Sequence, residues 1–441
     1  MATARFDPAG PLRGSLRPPA DKSISHRAAL IAAMGEGETR IEGYLDAADT
    51  RSTLAAVAAL GARVEVERSP GTYEAWGGPS GPLGRLKITG VGLRGPRSAT
   101  IDVGNAGTLL RLLPGWLAGQ EEGEWTLDGD DSIRRRPVDR IALPLTQMGA
   151  RVEAREGRLP PLGVHGTPLR GIDYEMPVAS AQVKSCLLFA GLLAEGITRV
   201  SSKHPSRDHS ERMLAAAGAS IERASSTVVV RPTKRLKPRR IDVPADLSSA
   251  AFFVVAAALV AGSEVVLERV GVNPTRTGVL TVLARMGADV EVDPEGEHGG
   301  EPVARLVVRP APLRGTEIGG EEVPLAIDEL PLLALAACFA EGTTTIRDAE
   351  ELRRKESDRV ETVTAALTAL GAEVESTADG MVIEGTGGLR GGTISSHGDH
   401  RIAMLGAVAG LASAEGVEVE GIEAAAVSYP GFEADLRSLL S

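Results

Sequence analysis

A chain of 441 residues with 43% hydrophobic and 24% charged side chains reads as a globular protein long enough for two or three domains. Its formal net charge of −11 argues against a general nucleic-acid binder, so any anionic ligand has to be held by local clusters of cations. Aromatic residues make up only 3% while glycine occurs 52 times, which predicts an interior of Ala, Val and Leu with many tight turns.

From the N-terminus, Met1 to Gly10 lacks the apolar core of a signal peptide, and the longest apolar run, Ala250 to Ala261, is too short to span a bilayer. Cys186 and Cys338, the only cysteines, lie in apolar helical patterns without CxxC spacing and read as buried thiols of a reducing cytoplasm. Pro18 to Arg27 gathers Lys22, Ser23, Ser25, His26 and Arg27 at the start of a helix predicted to run through Met34 to a stop at Gly35, with Asp21 or Ser23 as its cap. Cations there oppose the helix dipole unless an anion lies between them and the free N–H groups. A solvated basic patch fits this stretch as well.

Two phrases then repeat along the chain. A Gly leading into a short β-type run occurs six times, at Gly37, Gly123, Gly196, Gly262, Gly342 and Gly416, and a helix end turning through Gly-Ala into a strand occurs five times, at Gly61, Gly149, Gly218, Gly287 and Gly371. The alternation predicts six αβ units in two domains of three. Pro19-Ala20-Asp21-Lys22-Ser23 returns in weaker form as Pro244-Ala245-Asp246-Leu247-Ser248, and both read as points where the chain crosses between domains. The expected division is 1–20 as a first strand belonging with the second half, 21–244 as one domain and 245–441 as the other. The basic stretch 231–240 reads as solvated surface.

Further motifs can carry chemistry. Gly104-Asn105-Ala106-Gly107-Thr108 turns into a helix start whose N–H groups can reach a ligand, though a Gly-rich turn of this kind is more often plain turn chemistry. Arg134-Arg135-Arg136 precedes Pro137, a residue suited to the first helical position. Ser180-Ala181-Gln182 caps another apolar helix, and Ser206-Arg207-Asp208 is similar. Asp328-Glu329 stands before a buried helix, where acids compensate a dipole. If Glu350 to Arg359 is helical, Lys355 and Arg359 share a face and call for a counter-ion, which Glu351 or a ligand anion can supply. His397 to Arg401 lacks a companion set of ligands at metal spacing, so no metal is expected.

In this order, the set Asp21 to Arg27, Gly104 to Thr108, Arg136-Pro137, Ser180 to Gln182, Lys355 to Arg359 and Asp399-His400-Arg401 closely resembles the 5-enolpyruvylshikimate-3-phosphate synthase family over essentially the whole chain. The resemblance implies an α/β enolpyruvyl transferase fold of six βαβαββ-type units, three per domain, joined by a double crossover and closing on the substrates. It implies transfer of the enolpyruvyl group of phosphoenolpyruvate to the 5-hydroxyl of shikimate 3-phosphate through a tetrahedral intermediate, with release of phosphate and with no metal or organic cofactor. Shikimate 3-phosphate is implied to be held by Lys22, Ser23, Arg27, Ser180, Ala181, Gln182, Arg207, Asp328 and Lys355, and phosphoenolpyruvate by Lys22, Gly107, Arg136, Gln182, Arg359 and Arg401. Asp328 is implied to take the hydroxyl proton and Glu356 to protonate the methylene carbon, with Lys355 and Lys22 assisting. Partners are the two small molecules alone, without nucleic acid or membrane, and the protein is expected to be a cytoplasmic monomer. Glyphosate inhibits many members of this family from the phosphoenolpyruvate site. Two departures stand out: Ala181 replaces a second Ser of some members, and Val427 to Pro430 stands where others carry a Lys. The sister enzyme acting on a UDP-linked amino sugar is the nearest rival, but neither Cys186 nor Cys338 has its mobile-loop setting. A polyanion-binding repeat scaffold is a further rival and gives no reason for Asp328 and Glu356.

Overall fold

Five helices end alike, and that ending sets the rhythm of the chain. In the computed structural model, which describes residues 2–77, 83–224 and 226–440, Gly61, Gly149, Gly218, Gly287 and Gly371 have φ between 94° and 104°. That left-handed backbone is open to glycine, whereas a Cβ there costs about 1–2 kcal/mol. Each Gly N–H reaches back three residues and the next Ala N–H five, as in Gly61 to Ala58 O (2.9 Å) and Ala62 to Val57 O (3.0 Å). The last helical carbonyls are thereby satisfied before the chain enters a strand.

The chain divides into two compact units, one made of Ala20–Pro244 with Glu297–Glu301, the other of Met1–Pro19, Ala245–Gly296 and Pro302–Ser441. The tip 297–301 corrects the expectation that 245–441 is a single piece. His209 Nδ1 lies 2.9 Å from Glu301 Oε1 with both side chains buried, which ties the tip to the first unit.

The first unit holds α1 (Lys22–Met34), α2 (Ala48–Ala59), α3 (Gly107–Ala118), α4 (Asp139–Gln147), α5 (Ala181–Gly191) and α6 (His209–Ala216). Its three sheets have the orders 240–242, 36–42, 86–91, 63–69, 72–75; then 99–102, 124–128, 159–165, 151–155; then 173–176, 198–202, 227–230, 221–224. The second holds α7 (Leu247–Leu259), α8 (Gly278–Met286), α9 (Val323–Ala326), α10 (Leu330–Cys338), α11 (Arg359–Ala369), α12 (His400–Ala412) and α13 (Phe432–Ser438). Its sheets run 3–6, 417–420, 392–395; then 289–298, 301–309, 264–271, 13–16; then 317–318, 341–346, 381–386, 373–376.

Every sheet contains one parallel pair. In four sheets that pair flanks a buried helix: α3, α5, α10 or α12, the crossover that parallel strands require. In the other two the connections are exchanged. Strand 13–16 leads into α1 but pairs with 264–271, and strand 240–242 leads into α7 but pairs with 36–42. The exchange is mirrored in the backbone: Asp21 N–H donates to Pro244 O and Asp246 N–H to Pro19 O, both at 2.8 Å.

Helices α1, α3, α5, α7, α10 and α12 are buried on nearly every side and form the cores of their units. Close approach between them needs glycine: a Cβ on Gly115 of α3 would lie 2.0 Å from Cys186 O of α5. Gly35 ends α1 for a similar reason. Its φ is −78°, an ordinary value, but a Cβ there would strike Pro238 at 2.6 Å.

Candidate active site

In the first unit the polar side chains sit at the starts of its buried helices. Asp21 caps α1 by accepting from Ile24 N at 2.8 Å, and Ser180 caps α5 by accepting from Val183 N at 3.4 Å. Gln182 Nε2 donates to Thr108 Oγ1 at 3.2 Å, so the starts of α5 and α3 are linked. Arg27 is buried and donates to Ser210 Oγ (2.7 Å), Ser185 Oγ (3.0 Å) and Ser23 O (2.9 Å). Burial lowers its pKa to about 10, and nearby Arg207 adds to the effect against Glu211 and Asp21. Lys22 pairs with Asp49. His26, behind them, is fully buried with Nδ1 2.6 Å from Thr53 Oγ1; burial first, then the Lys22 charge, lowers its pKa to about 3.

The Gly107 turn carries two guanidinium groups. Arg136 donates to Asn105 Oδ1 (2.9 Å) and Ser132 Oγ (3.3 Å), and Arg111 to the carbonyls of Gly107 (3.2 Å) and Pro137 (3.3 Å). Among the described residues, neither has a carboxylate ion-pair partner. Burial, then the charge of Arg136, lowers the Arg111 pKa to about 10. A Cβ at position 107 would meet Arg136 Nη1 at 2.9 Å and Arg111 Nη1 at 3.0 Å, so the glycine leaves both groups room beside the first turn of α3. Two cations at a helix N-terminus that make no direct ion pair among the described residues, although Asp139 acts on Arg111 and Asp130 feels Arg136, have the chemistry of a candidate anion site.

In the second unit the arrangement is a lattice of opposite charges. Arg359 is buried among three carboxylates: Asp399 (Nε to Oδ2, 2.8 Å), Glu356 (Nη2 to Oε2, 2.6 Å) and Asp328 (Nη1 to Oδ1, 3.4 Å). Lys355 Nζ lies 3.4 Å from both Asp328 and Glu351. Burial alone would raise the Glu356 pKa, but the Arg359 charge, a backbone N–H and His400 outweigh it and hold the carboxyl below its usual range. His400 is lowered to about 4, first by burial and then by Arg401. Arg401 donates through Nη1 to Asp328 O at 2.8 Å.

Lys355 and Arg359 do not share a helical face, contrary to the conditional expectation. A 3-10 helix covers Glu350–Arg354, Lys355 is extended, and α11 begins only at Arg359, capped by Asp358. Pro137 is likewise not the first residue of a helix, since α4 starts at Asp139 after a 3-10 turn at Ile133–Arg135. Glu329 precedes α10 without capping it. Ala181 begins α5, its methyl offering no hydrogen bond, and half-buried Arg207 lies just before α6. Asp49, Arg111 and Asp399 join these clusters without having been singled out as site residues. Arg111 was accessible in principle, four residues after Gly107 on α3. Asp49 and Asp399 find their partners only through the fold.

Three sheet-and-helix repeats per unit joined by exchanged crossover strands, with cation clusters at helix starts, are the architecture of the enolpyruvyl transferase class. A solved structure of EPSP synthase from Acinetobacter baumannii is similar with a TM-score of 0.89 at 41% identity, covering 100% of this chain and 98% of that one. The 3-phosphoshikimate 1-carboxyvinyltransferases of Alkalilimnicola ehrlichii (50% identity over 428 residues, 96% of this chain and 93% of that) and Gloeobacter violaceus (51% over 426 residues, 96% of each) are similar along nearly their full length. The family model described as EPSP synthase (3-phosphoshikimate 1-carboxyvinyltransferase) matches residues 6–436. The chain belongs to the EPSP synthase family.

Proposed function

We propose that the chain transfers the enolpyruvyl group of phosphoenolpyruvate to the 5-hydroxyl of shikimate 3-phosphate, with roles divided between the two units. In the first, Ser23, Arg27, Ser180, Gln182 and Arg207 hold shikimate 3-phosphate, with Ala181 contributing backbone alone. Lys22, Gly107, Gln182 and Arg136 hold phosphoenolpyruvate, and Arg111 reinforces the charge beside Arg136. In the second, Arg359 and Arg401 take the remaining anionic groups of phosphoenolpyruvate, while Lys355 contacts both substrates.

The addition step forms the bond from the 5-oxygen to C2 of phosphoenolpyruvate; the hydroxyl proton passes to Asp328 and the methylene carbon gains a proton from Glu356. In the elimination step the C2–O bond to phosphate breaks, the departing phosphate takes up the proton held by Asp328, and the methyl group returns a proton to Glu356. Glu356 rests as a carboxylate, the form the second step needs, and must be protonated for the first. An anion arriving at Arg359 competes for the guanidinium and lets the Glu356 pKa rise toward the value burial alone would set. The protein acts in the cytoplasm as a monomer on this reading.

The observation that carries the proposal is the pair Arg111 and Arg136, two cations at the start of α3 that make no carboxylate ion pair among the described residues. Charge-assisted hydrogen bonds are worth about 1.5–3 kcal/mol, so Arg136→Ala should raise the KM for phosphoenolpyruvate roughly ten- to hundredfold. The KM for shikimate 3-phosphate should change little. An unchanged phosphoenolpyruvate KM would remove Arg136 from that role.

A further inference from the structure

Behind Arg401 lies a buried polar chain that the reaction as described does not use. Glu329, immediately before α10, is 2% exposed, yet its carboxylate makes no capping bond to the helix it precedes. Its Oε1 instead accepts from Ser248 Oγ and lies 3.5 Å from Arg401 Nη1. Ser248, in the first turn of α7, accepts in turn from Arg276 Nη2 at 2.7 Å, and the same nitrogen reaches Asp246 Oδ1 at 3.1 Å. Arginine carries donors only. The Ser248 hydroxyl must therefore spend its one proton on Glu329, and the chain has a fixed polarity from Arg276 through Ser248 to Glu329, which also receives Arg401.

The other end explains what such a chain is for. Arg401 is held by one nitrogen: Nη1 donates to Asp328 O at 2.8 Å and pairs with Glu329. Among the described residues its Nε and Nη2 have no partner, so the edge of the guanidinium that can grip an anion in bidentate fashion is left open. The carboxylate that could have closed that edge is turned onto the opposite corner and kept there by Ser248. The carbonyl sharing Nη1 belongs to Asp328, so one anchor fixes both the cation and the loop of the expected base.

We infer that Glu329 is a positioning residue, which with Ser248 and Arg276 orients the Arg401 guanidinium toward phosphoenolpyruvate. The inference rests on the reading of Arg401 given above. Steady-state kinetics of the full-length enzyme, varying each substrate in turn, test it. Glu329→Gln keeps the shape and the bond from Ser248 but loses the charge, and should raise the phosphoenolpyruvate KM about tenfold, the size of a charge-assisted hydrogen bond. The KM for shikimate 3-phosphate should stay put. Ser248→Ala should move the same constant in the same direction by less. In an Arg401→Ala background, Glu329→Gln should add nothing.

If Arg401→Ala leaves the phosphoenolpyruvate KM unchanged, the reading of Arg401 itself is wrong. If Arg401→Ala raises that KM while neither Glu329→Gln nor Ser248→Ala does, only the positioning role is wrong. A Glu329→Gln protein with a lower melting temperature and a normal KM would make the residue merely structural. Should Glu329→Gln fail to fold, Ser248→Ala takes its place: a raised phosphoenolpyruvate KM that disappears in the Arg401→Ala background supports the positioning role, and an unchanged KM overturns it.

Discussion

Glu356 shows how one residue's environment sets its chemistry. Its carboxylate touches Arg359 at 2.6 Å and is held below the usual pKa range, while the proposed reaction has it deliver a proton to carbon. Glu356→Gln retains the shape and removes the proton, so kcat should fall by about 10²–10⁴, the span of general acid–base groups. Binding of shikimate 3-phosphate, followed by calorimetry, should change little. More than half the normal kcat in the variant would exclude Glu356 from proton transfer. At this scale the sequence revealed the cations well and their surroundings poorly. Lys22, Arg136, Lys355, Arg359 and Arg401 were legible from motifs. That Arg359 is enclosed by Asp328, Glu356 and Asp399 was not, because two of its three partners lie 31 and 40 residues away.

At the level of elements, α1 combines an apolar helix with a buried histidine, and this has a cost in acid. His26 keeps its proton off down to about pH 3 in the folded chain, whereas an unfolded histidine binds one below about pH 6.5. The unfolded state therefore takes up more protons between those limits, and stability contributed by neutral His26 is lost as pH falls through that window. By pH 4.5 the loss from this group is about 2–3 kcal/mol at 1.36 kcal/mol per unit. Urea unfolding of the normal protein and of His26→Gln, compared from pH 7.5 to 4.5, should show the normal protein losing stability faster by about that amount. Parallel curves would mean that His26 is not the group responsible. The repeated Gly-Ala turns were legible because their cause is local: five glycines with positive φ and two hydrogen bonds each. The start of α4 and the extended Lys355 were not, because tertiary contacts overrode helical spacing there.

For the whole molecule, the acidic balance and the anionic substrates are reconciled by pairing. Many cations among the described residues have a carboxylate in direct ion pair, as Arg285 has Glu322 and Arg212 has Asp208, whereas Arg111 and Arg136, close together at one helix start, make no such pair there. A net charge of −11 therefore coexists with local cation clusters, the proposed sites for phosphate and carboxylate. The exchanged strands 13–16 and 240–242 follow from the twin Pro-Ala-Asp sequences, which could be read directly; the transfer of 297–301 to the first unit could not, since it depends on the buried His209–Glu301 contact. Membership of the family implies selectivity for one acceptor. The most direct measurement is release of inorganic phosphate from phosphoenolpyruvate by the purified protein, offered either shikimate 3-phosphate or the UDP-linked amino sugar of the sister reaction. Release should require shikimate 3-phosphate and stay at background with the UDP-sugar; release with the UDP-sugar and none with shikimate 3-phosphate would contradict it.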